Sequence, residues 1–195
     1  MLEVKTIEIS GFASAVKALR LPFGKDCRSE ITDDYIGWVD EPEVKNFYSG
    51  CGVIFDNKDL ALMSNLAKNG DEHAKVVRGI MVYVEISAPI WFYRELETYR
   101  IGRERLSCES TMHIECRGLS GEELEKAKDK IPMGHIQKTV DMISYQTLRR
   151  VYKQRRNHRL PMWHDFCAWI ETLPFFKTLI MPEYEQTKGN QGQDF

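Results

Sequence analysis

The chain has 195 residues, 43% of them hydrophobic and 29% charged, and 27 basic against 29 acidic side chains leave a formal net charge of −2. That composition suits one globular domain able to bury a core, and it lacks the basic field that general nucleic-acid binding requires. Five cysteines, odd in number and widely spread, with no secretory signal ahead of them and no apolar run long enough for a membrane span, lead us to expect free thiols in a soluble, cytoplasmic protein.

Leu2 to Ser10 alternates as a first strand, and Phe12 to Leu21 reads as a short helix ended by Pro22 and Gly24. Residues 25–56 carry turn signals at Asp33-Asp34, Glu41-Pro42 and Gly50 to Gly52. Asp56-Asn57 is expected to cap a helix through about Lys68, stopped by Asn69-Gly70. Ile80, Val82, Val84 and Ile86 alternate as one face of a strand. Pro89 suits the first position of a helix to about Tyr99, and Ser120-Gly121 opens another over 120–130. A long helix from about Ile136 to Arg159 and a further one over Pro161 to Thr172 complete the reading. The fold class expected is therefore α+β: a small antiparallel or mixed sheet with several helices, one of them long. Residues 1–184 form one domain in this reading, and the polar stretch 185–195 is a flexible tail.

The chemistry concentrates in residues 87–113. Arg94 and Thr98 lie on the helix expected from Pro89, which empties into a loop carrying Arg100, Arg103 and Arg105 among Ser107, Glu109 and Ser110. Guanidinium groups fixed in such a place recognise phosphate or carboxylate through paired hydrogen bonds. On a helix running from Ile136, Ile136, Val140, Ile143, Leu148 and Val151 share one side, at about 100° per residue. Ser144 and Arg155 fall within that sector, and Arg149, Arg156 and Arg159 mostly outside it. An inward arginine needs a partner: a carboxylate of the chain, an anionic or uracil-like ligand, or a neighbouring subunit. The basic run Arg149 to Arg159 is a solvated helix face or, less simply, an RNA contact. Cys108, His113 and Cys116 fit no common zinc spacing, and no metal is expected. His73, next to Glu72, reads as a surface group. Neither a phosphate-binding glycine loop nor a nucleophile elbow is present.

The order of these features resembles the flavin-dependent thymidylate synthases. It runs Glu72-His73, a strand, Ala88-Pro89-Ile90, Arg94-Glu95, Thr98-Tyr99-Arg100, a Ser-rich acidic loop, Ala127-Lys128, Ile131-Pro132 and a helix, over roughly residues 70–165. The resemblance implies a homotetramer binding FAD where subunits meet. It also implies conversion of dUMP to dTMP with methylenetetrahydrofolate, NADPH reducing the flavin. By position it assigns Arg94, Glu95, Arg100, Arg103, Arg105, Ser110, Lys128 and Arg155 to the nucleotide, and His73, Thr98, Tyr99, Ser144 and Gln146 to the flavin. No residue is assigned a catalytic step.

The chain departs from the family's pattern at several of these positions. Of its Arg-His-Arg triplet only Arg100 remains, Thr98 and Tyr99 replacing the others. Glu95 stands for a glutamine and Lys128 for an arginine, while Ser144 and Gln146 replace an asparagine and an arginine. The loop after Arg100 is about two residues longer than the family's, and its acidic position is either Cys108 or Glu109. Two functions follow as expectations: a divergent member that binds a pyrimidine nucleotide and catalyses FAD- and folate-dependent one-carbon transfer, or a non-catalytic oligomeric binding or scaffold protein that has lost FAD.

Overall fold

The computed structural model describes residues 2–31 and 52–182. The turns expected at Asp33-Asp34 and Glu41-Pro42, and the tail from Glu185, lie outside the described residues. Among the described residues there are six strands: β1 (Glu3–Ser10), β2 (Glu30–Ile31), β3 (Val53–Ile54), β4 (Met81–Pro89), β5 (Arg103–Cys108) and β6 (Ile136–Ser144). The helices are α1 (Phe12–Leu19), α2 (Asn57–Lys68), α3 (Ile90–Leu96), α4 (Gly121–Asp129), α5 (Tyr145–Arg155) and α6 (Pro161–Glu171). Four strands form one wholly antiparallel sheet in the order β1-β4-β6-β5, and β2 pairs with β3.

The alternation of β4 puts Val82, Val84 and Ile86 on a fully buried face. They share one core with Phe12 and Val16 of α1, Leu148 and Val151 of α5, and Trp163, Phe166 and Ile170 of α6. Aromatic rings knit it together: Phe92 lies 4.7 Å from Trp163, and Phe12 meets Tyr145 edge-on at 5.7 Å. The fully buried Asp59 of α2 fastens the segment before β2, accepting from the backbone N–H groups of Arg28 (2.7 Å) and Ser29 (2.8 Å), the Ser29 hydroxyl (2.8 Å) and Arg20 Nε (2.6 Å). Burial alone pushes its carboxyl upward, but the hydrogen bonds from Ser29, Arg20 and the backbone outweigh it, leaving the group below the usual carboxylate range.

The helix expected from Ile136 to Arg159 is instead a strand followed by a helix of 11 residues. Gln137, Thr139, Asp141 and Ile143 point toward the helices while Ile136, Val140 and Met142 face outward, so the usual pattern is inverted over most of β6. The helix begins only where the Ser144 side chain accepts from Thr147 N–H and caps it. Starting there, Tyr145, Leu148, Arg149 and Tyr152 form the buried stripe, and Arg149, placed outside the apolar sector by the longer helix, is fully buried. It donates to Ala67 O in the last turn of α2, where the helix's carbonyl dipoles favour a cation.

Candidate functional site

The site lies where the end of α3 turns toward β5 beside the start of α5. Helix α3 is fixed at its N-terminus by the turn before β6: Ile90 N–H donates to His135 O (3.0 Å) and Trp91 N–H to Met133 O (3.1 Å). Its Tyr93 hydroxyl sits between the carbonyls of Ile86 (2.7 Å) and Gln137 (2.8 Å), and burial pushes this phenol up to about 12. After α3 the chain makes a short 3-10 turn over Glu97–Tyr99 and reverses at Gly102. Gly102 has φ 79°, and a Cβ there would lie 2.5 Å from Ser144 Oγ and 2.6 Å from Thr147 Oγ1. Only glycine fits. The reversal is tied to α5 by Ser144 N–H on Gly102 O (2.7 Å) and the Thr147 hydroxyl on Ile101 O (2.6 Å).

Between this turn and α5 lies a cavity of about 300 Å³, lined by Thr98, Tyr99, Ile101, Thr147, Arg150 and Gln154. Thr98 and Tyr99 were expected at a cofactor. The other four were not, and the signal for them was Thr147, Arg150 and Gln154 at helical spacing, legible only once α5 starts at Ser144. Ile101, 78% exposed, and the Tyr99 ring supply apolar wall; Arg150 supplies the positive charge.

Beside the cavity, Arg155 is held inside the protein. Its Nη1 donates to Glu95 Oε2 (3.0 Å) and its Nε to the Tyr99 hydroxyl (2.9 Å). The guanidinium lies 4.5 Å from the Trp163 ring centroid and 5.6 Å from that of Tyr99. Trp163 Nε1 donates to the same Glu95 oxygen (2.9 Å), and the Tyr99 hydroxyl donates to Gln154 Oε1 (2.8 Å). The inward arginine thus has a carboxylate of the chain as partner.

Arg103 and Arg105, expected in a loop, lie on edge strand β5 opposite Ile143 and Asp141. Both reach the fully buried Asp141: Arg103 Nε at 2.6 Å, and Arg105 Nε at 3.8 Å, with Arg105 also on Glu97 (3.2 Å) and its guanidinium 5.0 Å from the Tyr93 centroid. Glu109, one candidate for the acidic loop position, accepts from Lys138 N–H (2.9 Å) and so closes the end of β6. Ser110 is half-buried in the next turn, its carbonyl accepting from His113 and Ile114. Lys128 of α4 reaches the Thr111 hydroxyl (2.8 Å). Arg94 and Arg100 are exposed, as is His73, 4.0 Å from Glu72. Ser144 serves as the cap of α5, and Gln146 is buried with its amide nitrogen unpartnered. The expected site residues therefore fall into separate groups rather than one constellation. Among the described residues no group of three or more His, Cys, Asp or Glu side chains is placed to hold a metal ion, and no helix is long and apolar enough to cross a membrane.

No protein-family model matches the chain, and no curated protein matches it in sequence. Its fold is nonetheless that of the flavin-dependent thymidylate synthases. Thymidylate synthase ThyX from Helicobacter pylori, in a crystal structure with FAD and dUMP, is similar at a TM-score of 0.63 and 13% identity, over 93% of this chain and 98% of that one. A second structure of the same enzyme with FAD and dUMP gives 0.62 and 14%, over 92% and 98%. The UMP/dUMP methylase PolB from Streptomyces cacaoi, bound with 5-Br dUMP, gives 0.61 and 14%, over 93% of each chain.

Proposed function

We propose that this chain binds a nucleotide-type ligand, a pyrimidine nucleotide such as dUMP or a flavin, in the cavity between residues 98–101 and α5. The observation that carries the reading is the cavity itself, formed where Thr98 and Tyr99 meet Thr147, Arg150 and Gln154. Its volume of about 300 Å³ is at the small end of ligand sites, enough for one ring system with a polar edge rather than for a whole dinucleotide. A ring of FAD fits those walls: Tyr99 and Ile101 offer apolar contact, Thr147 and Gln154 hydrogen bonds, and Arg150 a charge. FAD there would supply the electron transfer, while the chain's residues hold and orient it.

The reaction class we propose, from the sequence resemblance, is flavin- and folate-dependent one-carbon transfer to a pyrimidine, with methylenetetrahydrofolate and NADPH as co-substrates; similar structures that hold FAD and dUMP support the flavin and the pyrimidine nucleotide. A second reading, a non-catalytic binding protein, is favoured by a specific observation: Arg103, Arg105 and Arg155 are all engaged by Asp141 or Glu95. In either case we propose a homotetramer. Exposed Leu106, Met112, Ile114, Leu119, Met133 and Ile136, running from β5 to the start of β6, support assembly. The test is FAD titration by fluorescence quenching, with and without dUMP. Micromolar binding strengthened by dUMP is expected of a shared pocket, and absence of quenching throughout would remove the flavin from the account.

A further inference from the structure

We propose that Arg150 receives the anionic group of the ligand, that Asp71 is its resident counter-ion, and that the ligand therefore carries a phosphate or similar anion on the α5 side of the cavity. The inference rests on the cavity being a ligand site and adds the ligand's charge and direction.

Among the described residues that line the cavity, Arg150 is the one cation. Its Nε donates to Asp71 Oδ2 at 3.0 Å, and its terminal nitrogens have no other partner among the described residues. Asp71 lies just beyond α2, after Gly70 at φ 104°, and it is crowded by cations. Arg149 Nε stands 3.9 Å from its other oxygen, and Arg78 donates to its carbonyl at 3.3 Å. Glu72 does not relieve this, since its carboxylate turns to Gly70 and His73. Arg149 is fully buried, and its Nε and Nη1 lack hydrogen-bond partners. Guanidinium donors around Asp71 thus outnumber the acceptors available to them, and an unpaired buried charge is costly. A bound anion corrects that imbalance.

Exchange is physically accessible. The side chains of Arg150 and Asp71 are 39% and 35% exposed, and a pair so exposed is weakly held. A phosphate offers the guanidinium fork two parallel hydrogen bonds where Asp71 now takes one from Nε. Tyr99 and Ile101, also lining the cavity, then receive the ring, so the ligand's direction follows from the walls.

FMN and riboflavin, the same ring with and without a phosphate, are the probes, titrated by quenching of their own fluorescence into the full chain. FMN is expected to bind at least about tenfold more tightly than riboflavin. Arg150→Gln should remove the advantage of FMN over riboflavin, weakening FMN at least about tenfold more than riboflavin, and Asp71→Asn should widen that advantage. Equal binding of FMN and riboflavin to the unaltered chain overturns the inference and leaves the cavity as a ligand site. So does an Arg150→Gln variant that weakens both probes equally, since that marks a structural role. No binding of either probe to any variant overturns inference and site together. Should Asp71→Asn fail to fold, Arg150→Gln alone decides.

Discussion

Asp141→Ala is expected to be the most damaging single substitution in the sheet. The carboxylate is fully buried on β6 and holds Arg103, whose side chain is 4% exposed, and Arg105 beside it. Deleting it leaves the buried Arg103 without a counter-ion and Arg105 with Glu97 alone, and breaking such a buried pair typically costs about 3–5 kcal/mol. Against a total domain stability of about 5–15 kcal/mol that is a large share. It corresponds to a fall in melting temperature of about 10 °C for a chain of this size. Urea denaturation of the variant measures it, and a loss below about 1 kcal/mol would show that water, not Asp141, satisfies the arginines. Because the cost comes from stranded charge, Arg103→Met combined with Asp141→Leu is expected to recover much of it.

Arg155→Met carries the second large effect. Arg155 loses an ion pair to Glu95, a hydrogen bond to Tyr99 and its stacking on Trp163, and Glu95 keeps only the indole N–H. Hydrogen bonds to charged groups contribute about 1.5–3 kcal/mol, so a loss of about 3 kcal/mol is expected. The resemblance had assigned this arginine to the nucleotide; we propose that it is a positioning residue that fixes Tyr99 against Gln154 at the cavity wall. Ligand affinity in the folded variant is then expected to fall less than about tenfold, or about 1.4 kcal/mol. Thermal unfolding and FAD titration on the same preparation separate the two roles. Unchanged stability with abolished binding would restore Arg155 to direct contact with the ligand.

Much of the fold was legible because local signals and packing agree. Asp56 caps α2 as its side chain demands, accepting from Lys58 N–H, and β4 alternates as its Ile and Val residues require. Helices α1, α3, α4 and α6 begin within a residue or two of their sequence signals. The failure at residues 136–144 has a definite cause. Asp141 turns inward because Arg103 and Arg105 meet it there, and those partners come from a neighbouring strand. No local pattern reports a cross-strand ion pair. That one error displaced the start of α5, hid the burial of Arg149 and concealed Thr147, Arg150 and Gln154 as one wall. Residues 103–108 misled for a related reason: arginines that read as a ligand loop are an edge strand whose charges point at Asp141. Thr98 and Tyr99, expected at a cofactor, line the cavity, and Arg155 turns inward as its place on the helix suggested, whereas the carboxylate that answers Arg155 was read only as Glu95 in place of a glutamine.

The most direct measurement is an FAD titration of the unaltered chain beside a Gln154→Trp variant. Gln154 is exposed, so the fold tolerates the larger ring, which fills the space between α5 and residues 98–101. The account predicts quenching of FAD by the unaltered chain and its loss in the filled variant at unchanged melting temperature. Equal quenching by both would contradict it and place any flavin elsewhere on the molecule.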